Sequence, residues 1–186
     1  MLLAKIVRPA MIAAAGLAIT ACSSQNADKA GSPTAASASQ HSAQQQQNLA
    51  NFDDLDFRVY SGQKWDEFPR SHAENIVVHY PDGSTTTGLA DHLEKLKPQF
   101  VFAPDTSIKE HPIKLADGNF TAVQGIMTGT FTKPLDMGNG NVIQPTGKRF
   151  VLPMMTVGRW EGGVMQEEWL FWDNASFMQQ IGAMGN

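Results

Sequence analysis

Apolar residues recur every three or four positions at the start of the domain: Leu49, Phe52, Leu55 and Val59. That spacing puts them on one helical face. Ser61 is placed to cap a second short helix, 62–68, which carries Trp65 and meets Pro69 at its end. The pattern then changes. Residues 75–80 (Asn-Ile-Val-Val-His-Tyr) form a β-branched run that stops at Pro81-Asp82-Gly83, which reads as a strand entering a turn. Helical spacing returns over 88–99, where Leu89, His92, Leu93, Leu96 and Phe100 share a face. Beyond it the chain predicts sheet: strands at 106–115, 119–132, 149–160 and 164–172. Asp117-Gly118 and Glu161-Gly162-Gly163 are the turns, 134–147 is a loop rich in Gly, Asn and Pro, and 174–181 is a closing helix. Gly125 and Gly129, inside the long strand, predict a bulge or sharp bend.

Helices followed by long antiparallel strands predict an α+β domain over 49–186, without internal repeats. The curved sheet wraps around the N-terminal helices as a half-open cone and leaves a concave pocket between the two layers.

Residues 1–21 carry Lys5 and Arg8, then an apolar run from Pro9 to Ile19 that is too short for a typical membrane span, which needs about 20 residues. The run ends in Leu17-Ala18-Ile19-Thr20-Ala21-Cys22. Small residues before a lone cysteine resemble a bacterial lipobox. The resemblance implies cleavage before Cys22 and lipidation of that residue, and several acyl chains would anchor the chain stably in a membrane. An ordinary signal peptide cut after Ala21 is the alternative. Ser23 resembles an outer-membrane sorting residue if the envelope is Gram-negative. Residues 22–48 hold Ser, Gln, Ala, Gly and Pro without large aliphatic side chains, the composition of a disordered tether.

The chain has 186 residues, of which 42% are hydrophobic, with 14 Lys+Arg against 18 Asp+Glu and a net charge of −4. Loss of the leader would remove Lys5 and Arg8 and leave the rest more acidic. Nucleic acid is therefore not an expected partner, since phosphate binding needs a basic patch. A single cysteine excludes an internal disulfide framework and any zinc site built on two cysteines. Phosphate-loop, dinucleotide-fold and serine-nucleophile motifs are missing from the sequence. The domain histidines, His72, His79, His92 and His111, follow no metal-ligand spacing, so neither a metal nor another cofactor is expected.

Several stretches carry a family resemblance: Gly125–Phe131 (GIMTGTF), Pro145-Thr146-Gly147-Lys148, Arg159–Gly163 (RWEGG), Glu167–Asp173 (EEWLFWD) and Gln180-Ile181-Gly182. Their order resembles the SnoaL-like polyketide cyclase ("ester cyclase") branch of the nuclear-transport-factor-2-like fold. The resemblance implies a pocket for a small apolar molecule and cofactor-free acid/base chemistry of the aldol cyclase, isomerase or lyase type. It also implies homodimers formed through the open sheet face. Asp173 matches the family's general acid/base, although it is equally placed to cap the closing helix. Phe131 stands where many relatives have His. A non-catalytic binding or protein-interaction module on the same fold is the alternative.

Alternation along 164–172 puts Met165, Glu167, Trp169, Phe171 and Asp173 on one face, so Glu167 and Trp169 are expected in the pocket with Asp173 unless a bulge intervenes. Trp65, Tyr80 and Trp169 are the rings placed to stack on a flat ligand. His79, His92 and Phe131 complete the expected lining. If the final hairpin turns on Gly162, Arg159 faces Met165 and lies too far from Asp173 to pair with it.

Overall fold

The computed structural model describes residues 41–184. The leader, Cys22 and the tether as far as residue 40 lie outside the described residues. Among the described residues no helix is long and apolar enough to cross a membrane.

Helix α1 (Ala43–Asp54) begins inside the stretch expected to be tether. A capping box starts it: the Ser42 hydroxyl accepts from the Gln45 backbone N–H, and the Gln45 side chain accepts from the Ser42 N–H. Its buried face carries Asn48, Leu49 and Phe52. The chain then widens into a π-helical stretch, Leu55–Tyr60, which keeps Leu55, Val59 and Tyr60 buried. Such stretches are uncommon and concentrate at functional sites. Ser61 does not cap the next helix. Its hydroxyl donates to the Asp56 carbonyl and accepts from the Ile108 N–H, tying the helical layer to the sheet edge. The following 3-10 helix runs Trp65–Arg70.

Strand β1 (His72–His79), β2 (Thr85–Thr87) and helix α2 (Leu89–Phe102) follow. Helix α2 runs past the expected end at 99 because Phe100 and Phe102 are buried and anchor its last turn. The expected strand 106–115 is two strands, β3 (Ser107–Ile108) and β4 (Ile113–Asp117), both antiparallel to β5 (Phe120–Thr130). Pro112, which has no N–H to give a ladder, lies in the break between them. The loop at 134–147 holds a small hairpin of β6 (Leu135–Asp136) and β7 (Val142–Ile143). The long hairpin β8 (Arg149–Glu161) and β9 (Val164–Trp172) leads into helix α3 (Asn174–Gln180).

The main sheet runs β2-β1-β9-β8-β5-β3, with β4 also on β5, and only β1 and β9 pair in parallel. This is the predicted α+β arrangement of a curved sheet against helices. The β5–β8 register is unbroken, so Gly125 and Gly129 mark no bulge. The bulge lies in β9. Arg159 faces Glu167 while Trp160 faces Met165, which leaves Gln166 as the extra residue. It shifts the alternation by one, so the inner face carries Met165 and then Glu168, Leu170 and Trp172. The core between the layers is built on Phe52, Val59, Phe68, Ile76, Val78 and Met165.

Candidate functional site

A cavity of roughly 500 Å³ opens between the helices and the inner face of the sheet. Phe68, Phe102, Met127, Leu152, Leu170 and Met178 give it mainly apolar walls. Four titratable groups, Asp56, His72, His92 and Glu168, also line it, as do Tyr60 and Tyr80.

Of the residues expected to line the pocket, Tyr80 and His92 do so. Trp65 instead stacks on Phe68 and meets Phe100 edge-on. Phe131 is wholly buried in the core against Phe102. Glu167 and Trp169 are turned to the outer side by the Gln166 bulge, and His79 stands beside them because alternation along β1 turns Ile76 and Val78 inward. The His79 ring stacks on Trp169 with centroids 5.3 Å apart, and His79 Nε2 lies 3.0 Å from Glu167 Oε1. Arg159 Nε donates to Glu167 Oε2 at 3.3 Å, so Arg159 faces Glu167 and not Met165. His79 and Arg159 hold the Glu167 carboxyl below the usual range. Asp173 is exposed and outside the cavity wall. Its carboxylate accepts from the Ser176 backbone N–H at 2.9 Å, as the N-cap of α3.

The chemistry gathers around Glu168, which projects inward from β9 and is 4% exposed. Two imidazoles face it: His92 Nε2 lies 3.6 Å and His72 Nε2 lies 3.8 Å from Glu168 Oε2. Both separations exceed a hydrogen bond, and among the described residues His72 Nε2 and Glu168 Oε2 are buried without a partner. The far nitrogens are held by hydroxyls. Ser71 Oγ lies 2.9 Å from His72 Nδ1, and Tyr80 Oη lies 2.8 Å from His92 Nδ1. Three polar atoms therefore converge without closing on one another.

Burial pushes His92 down to about 4, so its ring is neutral at neutral pH. Burial also pushes the Tyr80 phenol up to about 12, so it keeps its proton. If that proton is given to His92 Nδ1, the ring proton sits on Nε2 and points at Glu168. That assignment avoids setting a nitrogen lone pair against a carboxylate. Burial raises the Glu168 carboxyl, but His72 and His92 outweigh it and hold the group below its ordinary value. Glu168 is thus an ionised, buried carboxylate whose Oε2 has no hydrogen-bond partner among the described residues.

A second polar unit enters from the helices. Asp56, in the π-helical stretch, sets Oδ2 2.9 Å from His111 Nε2. His111 Nδ1 lies 2.8 Å from Asp53 Oδ1, and Lys114 Nζ donates to Asp53 Oδ2 at 2.7 Å. The His111 side chain is 2% exposed, beneath the Phe57 ring at 4.4 Å between centroids.

Sequence reasoning missed Glu168, His72 and Asp56 as pocket groups. Asp56 alone carried a usable signal, since it lies four residues after Phe52 and so on the apolar face of the first helix. His72, His92 and Glu168 also set one donor atom each within 4.8 Å of one another, although no spacing in the sequence joins them. Two imidazoles and a carboxylate are a donor set that divalent transition cations accept.

The family model described as SnoaL-like polyketide cyclase matches residues 54–181. No curated protein matches the chain. Among solved structures, a protein of Jannaschia sp. CCS1 described as a candidate SnoaL-like polyketide cyclase superposes with a TM-score of 0.69 at 19% identity, covering 79% of this chain and 99% of that one. IdmH of Streptomyces antibioticus, a candidate polyketide cyclase, gives 0.61 at 20% identity over 75% of this chain and 99% of its own. A candidate polyketide cyclase of Acidithiobacillus ferrooxidans gives 0.60 at 21% identity, covering 79% of this chain and all (100%) of that one. At these identities the likeness is one of fold.

Proposed function

Because the chain belongs to the SnoaL-like polyketide cyclase family, we propose that its cavity binds a small, largely apolar molecule and moves a proton on it without a cofactor. Glu168 is the base. It removes a proton from a carbon next to a carbonyl group and returns one in the closing or isomerising step. His92, oriented by Tyr80, and His72, oriented by Ser71, face the same point and stabilise the charge that moves through it. The apolar walls exclude water, which strengthens these interactions. The observation that carries the reading is the buried, unbonded Glu168 Oε2 on the wall of an apolar cavity.

The test uses 2-tetralone, a flat ketone with acidic C–H bonds, as a probe in D₂O. NMR follows the exchange of its α-protons in the presence of the full chain. The wild type is expected to speed exchange well above buffer, and Glu168→Gln to lose about 10²–10⁴-fold of that rate. Equal rates for the two proteins would remove Glu168 from the chemistry. Retention of 2-tetralone without exchange by either protein would favour a binding module instead.

We also assign the chain to the cell envelope through a lipid on Cys22. The lipobox-like residues Leu17–Cys22 support this, and radiolabelled palmitate incorporated by the wild type but not by Cys22→Ser would test it. Phe120, Val151 and Phe171 stand exposed on the outer face of the sheet, which supports the homodimer implied by the family. Light scattering of the purified protein measures that state.

A further inference from the structure

Asp56 stands at the cavity with one carboxylate oxygen bonded away from it. Oδ2 meets His111 Nε2, while among the described residues Oδ1 has no hydrogen-bond partner. Behind Asp56 the path does not end. The opposite nitrogen of the buried His111 ring meets Asp53, and Asp53, on α1, is about a third exposed (29%) and bonded to Lys114 on β4. Asp53 is not part of the cavity wall. A line of hydrogen bonds, each of 2.7–2.9 Å, therefore runs from the cavity through the helical layer to the surface.

We propose that Asp56 is a second proton-transfer group of this cavity, recharged from solvent through His111 and Asp53, and that the molecule bound there carries a carbonyl oxygen for Asp56 to protonate. This rests on the acid/base reading of Glu168 and completes it. Glu168 on the sheet removes a proton from carbon, and Asp56 on the helical side gives one to oxygen. The C–H bond breaks as an O–H bond forms, the electron pair moves through the enol, and charge is conserved. Glu168 then holds the carbon's proton and Asp56 has lost one. Glu168 returns its proton to carbon or releases it to solvent through the open cavity. In the second case the Asp56 carboxylate is reprotonated from His111 Nε2–H and the ring regains that proton from water by way of Asp53, so that gain and loss balance. A buried imidazole bonded through both nitrogens suits this relay, since it can receive a proton on one and release it from the other.

The charges around the unit favour a held proton. Burial pushes the Asp56 carboxyl up, against the pull of His111, and Glu168 adds to the rise. Burial pushes His111 down, but its bonds to Asp56 and Asp53 outweigh this and hold it above its ordinary value. His72 and Tyr60 also face Asp56, and Lys114 lies beyond Asp53.

The test combines NMR of the ¹⁵N-histidine-labelled full chain with 2-tetralone exchange kinetics. The His111 titration midpoint is expected to fall in both Asp56→Asn and Asp53→Asn. Asp56→Asn should lower kcat for exchange 10–100-fold with KM within twofold, and Asp56→Glu should recover part of the loss. Asp53→Asn, which changes nothing in the cavity wall, should move the alkaline limb of the pH–rate profile to lower pH with KM unchanged. An unmoved His111 midpoint in Asp56→Asn, or an unmoved alkaline limb in Asp53→Asn, would overturn the relay. If the wild type exchanges nothing, the Glu168 reading falls together with the catalytic part of this one. If the wild type and Glu168→Gln behave as expected while Asp56→Asn matches the wild type, only the Asp56 proposal falls.

Discussion

Gly129 lies directly opposite Phe150 in the β5–β8 ladder, and the phenyl ring fills the space where a Cβ would stand. A Cβ built on Gly129 would come within 2.6 Å of Phe150 Cζ and 3.0 Å of Thr106 Oγ1. Phe150 is fully buried, so the ring has little room to yield. Gly129→Ala is expected to destabilise the domain by about 1–3 kcal/mol. Gly125→Ala, whose added methyl would meet neighbours at 3.4–3.7 Å, should cost much less. Urea unfolding of the two variants measures the contrast, and equal midpoints would contradict it.

Asp173→Ala should cost about 1 kcal/mol through the lost N-cap of α3. It should leave α-proton exchange of 2-tetralone at the wild-type rate. A tenfold drop in that rate at saturating probe would return Asp173 to the chemistry.

His92 makes stability depend on acid. Its folded value of about 4 lies below the ordinary 6.5, so the unfolded chain takes up the proton first. The contribution is fully present above pH 6.5 and is lost as the pH falls toward 4. It amounts to at most ~3 kcal/mol. His111 has the opposite sign, because its folded value is raised. Its contribution is present below the unfolded value and fades as the pH rises through the folded one. Melting curves should show a weaker acid-side slope in His92→Gln and a weaker alkaline-side slope in His111→Gln. Wild-type slopes in both would refute the assignment.

Trp160 Nε1 donates to Thr121 Oγ1 at 2.9 Å inside the core. Trp160→Phe removes the donor and leaves a buried hydroxyl short of a partner, at a cost of about 1–3 kcal/mol beyond the smaller ring. Adding Thr121→Val should recover part of that loss in a double-mutant cycle. Strict additivity would show that the bond contributes nothing.

The long strands at 149–160 and 164–172 were legible almost to the residue, because alternation and the Gly162-Gly163 turn leave few other registers. The helices were legible from the spacing of Leu49, Phe52, Leu55 and Val59. The site was much less so. His92 could be found because it is a polar residue on the apolar face of a helix, and Tyr80 because its ring is placed to stack on a flat ligand. Trp65 and Phe131 look the same in sequence whether they fill a core or line a cavity, and here they fill the core. Glu167 and Trp169 were assigned inward from a strict two-residue period, which the Gln166 bulge breaks. Asp173 carries a family motif, but the short helix behind it takes up its carboxylate. His72 and Glu168 are far apart in the chain, and only the parallel pairing of β1 with β9 brings their strands together.

The extra residue at Gln166 sets the inward side chains Met165 and Glu168 three positions apart, where plain alternation would have them two apart. Deleting Gln166 would close that gap, restore plain alternation and keep Met165, Glu168, Leu170 and Trp172 on the inner face, with Glu167 and Trp169 still outside. Trp169 fluorescence should therefore stay at the wild-type wavelength, and a blue shift would refute it. Relatives can thus keep one cavity wall while their motifs fall out of step by a residue.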